Sequence, residues 1–200
     1  MDTEVYSNTG GQASKSTPIG AVAKFAAAGK RTNKKDLAMQ AISYGSVYVA
    51  RVAMGADPQQ TLKAFREAEA YPGPSLIIAY CHCIAQGFPM SDGLSQQYKA
   101  VNSGHWPLMR FNPVVGWEGG NPFLLDSPRP RLTMKDYMYH ELRYTMLAKA
   151  DPVAAGHMLE LAQRTTDQRW REYEEMATRS ANQFAIDATK DDLKGATETR

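Results

Sequence analysis

The sequence has few cysteines, no long apolar stretch and almost no excess of charge of either sign. Its 200 residues carry a formal net charge of +2 at pH 7, so charge alone gives no reason to expect nucleic acid or an anionic membrane as a partner. No apolar run reaches the roughly 18 residues that a membrane-spanning helix needs. The first residues, MDTEV, are acidic and lack the apolar core of a secretory signal. We therefore expect no nucleic-acid partner and no membrane partner.

The two cysteines, Cys81 and Cys83, are separated by a single residue. A disulfide between such close positions in a strand would depart from the geometry that the bond requires. Free thiols are typical of the reducing cytosol, and the sequence therefore predicts a cytoplasmic location. With 43% hydrophobic residues, the chain is long enough to form one domain around a hydrophobic core.

The middle of the chain carries the pattern of a strand, a helix and a second strand. The segment VYVARV at 47–52 is rich in β-branched and aromatic residues, which are typical of strands. Asp57 can cap the following helix, Pro58 suits its first position, and YPGP at 71–74 ends it. The apolar run SLIIAY at 75–80 is typical of a strand buried on both faces. This unit predicts an α/β fold with a parallel sheet, in which ligands bind at the carboxyl ends of the strands.

The flanking segments are predicted to be mostly helical, with two short strands. Residues 1–5 are predicted to be the end of a strand, and residues 108–111 to be a short strand. Polar or irregular segments are predicted at 6–20 and 116–131. Helices are predicted at 21–28, 36–44, 92–103, 133–148 and from 151 to about 179. A polar tail follows from residue 180, and we expect it to fray.

A cluster of hydroxyl, amide and backbone oxygens follows the first predicted strand. Ser7, Asn8 and Thr9 precede two glycines that allow the backbone to approach a ligand closely. Hard oxygen donors of this kind suit Mg²⁺ beside a phosphate group. An ordinary β-turn is the alternative, because glycine and asparagine are turn residues in any setting.

Cys81, His82 and Cys83 follow the second strand of the central unit. Thiolates bind zinc, copper and iron–sulfur clusters, but two cysteines cannot complete a four-ligand site, so any metal needs ligands from elsewhere. The alternative is a pair of buried, inert thiols. Other polar residues are expected to be packing or surface residues. These are the remaining histidines His105, His140 and His157, and the basic run of Lys30, Arg31, Lys34 and Lys35, which we predict to be a solvated loop.

Two long stretches carry a resemblance to a known family. They are DTEVYSNTGGQASKSTPIGAVAKFAAAGKRTNKKDL and YVARVAMGADPQQTLKAFREAEAYPGPSLIIAYCHCI. Together they resemble the thiamine-diphosphate domain at the C-terminal end of pyruvate:ferredoxin (flavodoxin) oxidoreductase, and the resemblance extends from residue 1 to about 179. It implies residues 1–132 as the C-terminal portion of that domain, 133–179 as a helical segment and 180–200 as the tail.

The resemblance also implies an activity and its partners. The family converts pyruvate and coenzyme A to acetyl-CoA and carbon dioxide, and electrons leave through iron–sulfur clusters to ferredoxin or flavodoxin. The implied partners are therefore the remainder of the oxidoreductase, pyruvate, coenzyme A and the electron acceptor, with a homodimer for the full enzyme. The cofactor would supply the carbanion and electron-sink chemistry, and the protein would position it.

The family's diphosphate-binding pattern implies a set of site residues at the start of this chain. The Thr3 side chain and the Val5 carbonyl resemble ligands of Mg²⁺, and Asn8 resembles an asparagine near the thiazolium ring and the bound 2-oxo acid, which makes it the implied catalytic residue. The implied thiamine-diphosphate-binding residues are Thr3, Glu4, Val5, Tyr6, Ser7 and Asn8.

Cys83 matches the family's last ligand of the four-iron, four-sulfur cluster that lies closest to the thiamine. The other three ligands would lie outside this chain, and Cys81 has no role in the pattern. Two neighbours depart from the pattern, since His82 stands where proline is common and Gln86 stands where histidine is common. The departures leave the ligand in place and put the tuning of the cluster in doubt.

Several parts of the family's pattern are missing from this sequence. It has no Gly-Asp-Gly for the remaining Mg²⁺ ligand, no ferredoxin-like cysteine repeats and no pyrimidine-binding domain. We therefore expect that the chain does not catalyse the reaction alone, and that Met1 is an internal methionine of a longer reading frame or the start of a truncated gene. Two alternatives stay open: an oxidoreductase for another 2-oxo acid, and a non-catalytic remnant or interaction module.

Overall fold

A computed structural model describes residues 1–184 of the chain. The strands are β1 (Tyr48–Val52), β2 (Ser75–Ala79), β3 (Met109–Phe111) and β4 (Phe123–Leu125). The α-helices are α1 (Leu37–Ile42), α2 (Pro58–Ala70), α3 (Gly93–Asn102), α4 (Pro113–Trp117), α5 (Met134–Met138), α6 (Leu142–Ala150) and α7 (Pro152–Ala177). Short 3-10 turns lie at Ile84–Gln86, Met90–Asp92 and Ala181–Gln183.

The predicted strand–helix–strand unit is confirmed, but the expectation that its second strand is buried on both faces is wrong, because β2 lies at the edge of the sheet and only its Ile78 is buried. β1 and β2 pair in parallel, with Tyr48 opposite Ser75, and α2 connects them. The Asp57 side chain accepts a hydrogen bond from the backbone N–H of Gln60 at 2.8 Å, and Pro58 is the first helical residue. Because a parallel pair needs a crossover connection, the cap and the proline fix where that crossover begins.

The sheet is mixed rather than parallel throughout. Its strand order is β2-β1-β3-β4, and both pairs that include β3 are antiparallel. The α/β class is therefore confirmed, while the parallel arrangement holds only for β1 and β2. β4 lies inside 116–131, which the sequence predicted as irregular. The sequence does not reveal β4 because its three apolar residues are too few to show the alternation of a strand. It can still pair with β3, because antiparallel neighbours need no long crossover connection.

The first residues make a single bridge rather than a strand. The Asp2 N–H donates to the Ala79 carbonyl at 2.8 Å, and the Cys81 N–H donates to the Asp2 carbonyl at 3.0 Å. Asp2 therefore lies parallel to Tyr80, just beyond the carboxyl end of β2. This bridge brings the chain start to the edge of the sheet where the sequence predicted a ligand site.

The helix predicted at 21–28 is wrong. This alanine-rich segment forms turns in which Ala23 and Ala26 face each other, with Phe25 in the left-handed region at φ 68°. The Val22 N–H donates to the carbonyl of Arg143 at 2.7 Å. Long-range backbone pairing of this kind overrides the helix propensity of alanine, which is only a weak preference.

The helix predicted at 133–148 is divided into α5 and α6. Glu141 lies between them in extended backbone conformation at φ −111° and ψ 133°, and its side chain is fully buried. The long helix α7 is confirmed from its Asp151 cap to Ala177. The frayed tail predicted from residue 180 lies, for residues 185–200, outside the described part of the chain.

The hydrophobic core lies on the two faces of the sheet. The larger cluster includes Val49, Met109 and Phe111 together with aromatic residues of α5 and α7, and the smaller one includes Tyr48 and Ala64 of α2. Among the helices of residues 1–184, none is both long enough and apolar enough to cross a bilayer.

Candidate functional site

The two oxygens that the resemblance implies as Mg²⁺ ligands lie side by side. The Thr3 hydroxyl donates a hydrogen bond to the Val5 carbonyl oxygen across 3.0 Å. Mg²⁺ binds oxygens at about 2.0–2.1 Å in octahedral geometry, so two adjacent ligand oxygens stand about 2.9 Å apart. The observed spacing therefore fits two neighbouring positions on one magnesium ion.

Thr3 and Val5 border a cavity of about 370 Å³ at the edge of β2. Two lysines, Lys15 and Lys35, also line it, as do the hydroxyl-bearing residues Ser14 and Ser16. Cationic and hydroxyl groups of this kind suit a phosphate-containing ligand beside a divalent cation.

Glu4 lies between these two residues in a strained backbone conformation. Its φ is 62°, in the left-handed region that side chains other than glycine rarely adopt. Its N–H donates to the Asp2 carboxylate at 2.9 Å, and its carbonyl accepts from the Thr17 hydroxyl at 2.6 Å. The reversal at Glu4 turns the chain so that Thr3 and Val5 come together. Strain of this kind persists only where surrounding contacts hold it.

The Glu4 carboxylate points into the protein and is fully buried. One oxygen lies 2.7 Å from the Arg143 guanidinium, and the other lies 2.8 Å from Nε2 of His105 and 3.4 Å from the Lys34 ammonium. Burial by itself would raise the pKa of Glu4, but His105, Lys34 and Arg143 outweigh it and hold that pKa well below its ordinary value. Glu4 is therefore ionised at neutral pH.

His105 is the histidine that the fold brings to this site. It is buried and stacks on Tyr137 with ring centroids 4.5 Å apart. Burial lowers its pKa despite the neighbouring carboxylate of Glu4. A carboxylate can only accept a hydrogen bond, so Nε2 of a neutral His105 carries the proton and donates it to Glu4.

A second layer of polar residues holds Arg143. Its Nε lies 2.5 Å from a carboxylate oxygen of Glu141, and its Nη2 donates to the Tyr137 hydroxyl at 3.2 Å. Glu141 also accepts a hydrogen bond from Gln96 at 2.8 Å, and burial raises the pKa of Glu141. Arg143 thus lies between two buried carboxylates, Glu141 two residues before it and Glu4 near the start of the chain.

Tyr6, Ser7 and Asn8 lie on an exposed turn. The Tyr6 N–H donates to the Gln12 carbonyl at 3.0 Å, and the Tyr6 carbonyl accepts from the Gly11 N–H at 2.9 Å. Gly11 has φ 85°, and a Cβ there would lie 3.3 Å from the Cβ of Ala85. The Ser7 and Asn8 side chains face solvent. The structure therefore groups Thr3, Glu4 and Val5, lets Tyr6 line the same cavity as Thr3 and Val5, and places Ser7 and Asn8 on the adjoining surface.

Cys83 is connected to the Thr3 turn through one buried side chain. The Cys83 N–H donates to Oε1 of Gln86 at 3.0 Å, and Nε2 of Gln86 donates to the Thr3 carbonyl at 3.2 Å. Gln86 is completely buried. Cys81 and Cys83 are both free and partly exposed. Two segments that the sequence separates by 80 positions are therefore held by a single amide group.

Several residues of this site were not expected from the sequence. Lys34 was predicted to be solvated, but its ammonium pairs with the Asp2 carboxylate at 2.6 Å and its side chain is mostly buried. No sequence pattern indicated that Arg143 and Glu141 belong to this site, because the spacing of residues within a helical segment does not relate that segment to residue 4. Gln86 stood out only as a departure from the family's pattern.

The described residues hold no complete metal site of their own. Within 1–184, no group of three or more histidine, cysteine, aspartate or glutamate side chains is placed to hold a metal ion. Thr3 and Val5 together offer two oxygens, and Cys83 offers one sulfur. Neither arrangement, within residues 1–184, supplies the full set of ligands that a metal ion or cluster needs.

Comparison with known proteins identifies the relatives of this chain. It is 55% identical over 179 residues to the pyruvate-flavodoxin oxidoreductase of Nostoc sp. and 51% identical over 177 residues to the pyruvate:ferredoxin oxidoreductase of Moorella thermoacetica. This chain belongs to the pyruvate:ferredoxin (flavodoxin) oxidoreductase family. The matches cover 90% and 88% of this chain, and 15% of each relative. No protein-family model matches it.

A third relative, which matches over a shorter stretch, carries a different name. The mitochondrial NADP(+)-dependent pyruvate dehydrogenase of Euglena gracilis is 51% identical over 157 residues, which cover 78% of this chain and 9% of that protein. The three names share pyruvate and differ in the electron acceptor. The chain therefore spans about 15% of the length of the oxidoreductases that it matches over most of its own length.

Proposed function

We propose that the chain forms one side of a thiamine-diphosphate site in an oxidoreductase that converts pyruvate and coenzyme A to acetyl-CoA and carbon dioxide. The observation that carries the proposal is the pairing of the Thr3 hydroxyl with the Val5 carbonyl at 3.0 Å, at a strained turn beside an open cavity. The 50–55% identity to pyruvate oxidoreductases supports it.

In this proposal the first residues hold the diphosphate through a magnesium ion. Thr3 Oγ1 and the Val5 carbonyl oxygen are two of its ligands, and Glu4, Tyr6 and Ser7 line the cofactor beside them. Glu4 contributes through its backbone, because its carboxylate faces Arg143 inside the protein. Thiamine diphosphate, when bound, supplies the electron sink that decarboxylation of a 2-oxo acid requires.

Asn8 is the proposed catalytic residue of this segment. Its position on the exposed turn leaves the carboxamide free to donate a hydrogen bond to a bound 2-oxo acid, and a carboxamide offers both donor and acceptor atoms. The glycines that follow it at 10 and 11 adopt positive φ, which keeps the turn tight. The chain thereby orients substrate without supplying a general base.

Cys83 is the proposed ligand of a four-iron, four-sulfur cluster. A partly exposed thiol a few residues beyond the edge strand β2 can reach a cluster held mainly by cysteines from elsewhere. Gln86 holds the backbone amide of Cys83 through the hydrogen bond that its Oε1 accepts from the Cys83 N–H. Cys81 has no proposed role.

The proposed partners follow from the same assignment. They are the remainder of the oxidoreductase, pyruvate, coenzyme A and either ferredoxin or flavodoxin, with a homodimeric full enzyme in the cytoplasm. We keep 1–132, 133–179 and 180–200 as the proposed segments. Pyruvate is preferred over other 2-oxo acids because it occurs in the names of the relatives reported above.

A chimera tests the proposal directly. The matched segment of the Nostoc enzyme is replaced by this chain, and pyruvate- and coenzyme A-dependent reduction of flavodoxin is measured together with bound thiamine diphosphate and iron. We expect activity and cofactor content within about tenfold of the parent enzyme, since more than half of the segment is identical. A folded chimera that lacks thiamine diphosphate would refute the proposal.

A further inference from the structure

Arg143 and Glu4 form an ion pair that connects the proposed metal-binding turn to α6. The Arg143 and Glu4 side chains are almost completely buried, and their closest atoms are 2.7 Å apart. The two residues are 139 positions apart in the sequence. Neither charged group contacts the cavity beside Thr3 and Val5, so the pair acts on that cavity only through the backbone.

The left-handed conformation at Glu4 is supported by the backbone hydrogen bonds to Asp2 and Thr17 and by the contacts of its buried side chain. Glu4 is held at φ 62°, and a residue with a Cβ occupies this region at a cost of about 1 kcal/mol or more. Its carboxylate accepts from Arg143 and His105 on its two oxygens. If the carboxylate were released, nothing in the Glu4 side chain would favour the left-handed conformation over an extended one.

The orientation of the two proposed metal ligands depends on that conformation. The reversal at Glu4 is what places the Val5 carbonyl 3.0 Å from the Thr3 hydroxyl. An extended Glu4 would separate Thr3 from Val5 by about 6.6 Å along the chain, at about 3.3 Å per residue, and the Val5 carbonyl would then move away from the Thr3 hydroxyl. The geometry of a magnesium site tolerates little displacement of this kind.

We propose that Arg143 is a positioning residue that holds Glu4 in its left-handed conformation and so keeps Thr3 and Val5 oriented for the metal ion. The inference rests on the proposed function only where it concerns the metal; the anchoring of the turn is independent of it. Arg143 is suited to this role because its planar guanidinium reaches two carboxylates at once, Glu4 through Nη2 and Glu141 through Nε.

The fold offers a matched control on the other side of the sheet. Arg110 is also buried and also joins two carboxylates, those of Asp126 and Glu67. Its partners lie outside residues 1–17, which form the turn and its supporting loop. Arg143→Lys and Arg110→Lys therefore each remove a buried guanidinium that joins two carboxylates, and only Arg143→Lys removes a contact with Glu4. Glu4→Gln is a milder variant, because it leaves Arg143 paired with Glu141.

Amide hydrogen exchange in the full 200-residue chain tests the anchoring without any cofactor. The reporters are the N–H groups of Glu4, Tyr6 and Gly11, each of which is hydrogen-bonded in the turn or its extension. We expect Arg143→Lys and Glu4→Gln to speed their exchange by about tenfold or more relative to the amides of β1. Arg110→Lys should leave these reporters unchanged.

Either of two results would overturn the anchoring. One is unchanged exchange of the Glu4, Tyr6 and Gly11 amides in both variants. The other is an acceleration that is equal in the turn and in β1, or that Arg110→Lys reproduces, because Arg143 would then only stabilise the whole fold. If Arg143→Lys does not fold, Glu4→Gln decides between these results.

The metal-related part is tested in the chimera with the Nostoc enzyme. We expect Arg143→Lys to raise the Mg²⁺ concentration for half-maximal activation by about tenfold at saturating thiamine diphosphate, with a smaller change in kcat, and Arg110→Lys to leave it unchanged. An unchanged Mg²⁺ requirement in a chimera with a loosened turn would overturn the positioning role. An unsubstituted chimera that binds no thiamine diphosphate would instead refute the proposed function and leave the exchange result intact.

Discussion

The side chain of Gln86 donates a hydrogen bond to the carbonyl oxygen of Thr3, across 3.2 Å and inside the protein. Its other amide atom accepts from the Cys83 N–H. One planar carboxamide thus holds Thr3, which precedes the left-handed Glu4, in place relative to Cys83, the proposed cluster ligand. A shift of either segment is therefore transmitted to the other.

Replacing Gln86 should cost stability in proportion to the hydrogen bonds that are lost. Gln86→Leu leaves the partly buried Cys83 N–H and Thr3 carbonyl without these partners, and we expect a loss of about 2 kcal/mol in the free energy of unfolding. Gln86→His retains one donor and one acceptor, so its loss should be smaller. Urea unfolding of the two variants measures the difference. Equal losses would contradict the bridging role.

Thr3 should contribute an oxygen to the metal site that valine cannot replace. Thr3→Val keeps the branched shape and removes Oγ1, and we expect the chimera to require at least about tenfold more Mg²⁺ for half-maximal activity, as is typical when contacts of a metal site are lost. Thr3→Ser retains the hydroxyl and serves as the control. If the serine and valine variants need the same Mg²⁺ concentration, the hydroxyl is not a ligand.

The two cysteines should differ sharply in their effect on iron content. In the chimera, Cys83→Ala removes the proposed thiolate ligand, and we expect about four iron atoms per chain to be lost, because a four-iron cluster needs its cysteine ligands. Cys81→Ala should leave the iron content unchanged. Iron analysis and electron paramagnetic resonance of the reduced protein provide the measurement. Retention of all iron in Cys83→Ala would remove Cys83 from the site.

Asp36 should make the stability of the fold dependent on pH in the acid range. Burial would raise the pKa of Asp36, but the Arg51 guanidinium, at 2.6 Å, and hydrogen bonds from the Tyr173 hydroxyl and the Met39 N–H outweigh it and lower that pKa from its ordinary value of 3.8. A carboxyl group with a depressed pKa in the folded state stabilises the protein above its unfolded pKa, and this contribution is lost as the pH falls through the folded one.

Asp36→Asn tests this dependence. At pH 7 we expect the variant to be about 2 kcal/mol less stable, since hydrogen bonds to a charged group are replaced by weaker ones. Below pH 3.8 the difference should narrow as the parent protonates. Urea unfolding at pH 7 and pH 3 gives the two values. A difference of the same size at both pH values would show that the carboxylate charge of Asp36 is not responsible.

Gly87 should tolerate no side chain. Its φ is 77°, and a Cβ at this position would lie 2.4 Å from the Cβ of Leu142, closer than real Cβ contacts come. The Gly87 carbonyl also accepts from the Leu142 N–H at 2.9 Å. We expect Gly87→Ala to destabilise the fold by more than about 1 kcal/mol, whereas Gly156→Ala in α7, where a Cβ has open space, should stabilise it slightly. Thermal unfolding of both variants measures this, and equal melting temperatures would contradict the close approach.

Local chemistry was sufficient to predict the elements whose signals lie within a few residues. The Asp57 and Asp151 caps, each followed by proline, mark the starts of α2 and α7, and both helices begin there. The β-branched run before Asp57 predicted β1. These elements follow from hydrogen bonds and steric limits between neighbours in the chain, so no tertiary information was needed.

The elements that sequence reasoning missed depend on distant partners. The segment at 21–28 has the composition of a helix, yet its Val22 N–H is taken by the carbonyl of Arg143. The helix predicted over 133–148 is interrupted where the Glu141 side chain enters the core and accepts a hydrogen bond from Gln96, 45 positions away. In both places, long-range contacts outweigh local propensity, which amounts to less than about 1 kcal/mol per residue.

The sequence by itself determined the α/β class, the central crossover and, through its resemblance to pyruvate:ferredoxin (flavodoxin) oxidoreductases, the residues to inspect at 3–8 and 83. Only the tertiary structure decided how these residues are held. It turned the Glu4 carboxylate inward toward Arg143 and joined Thr3 to Cys83 through Gln86. The physical reason is that a buried charge or amide must find partners wherever the fold provides them, and those partners can lie at any distance along the chain.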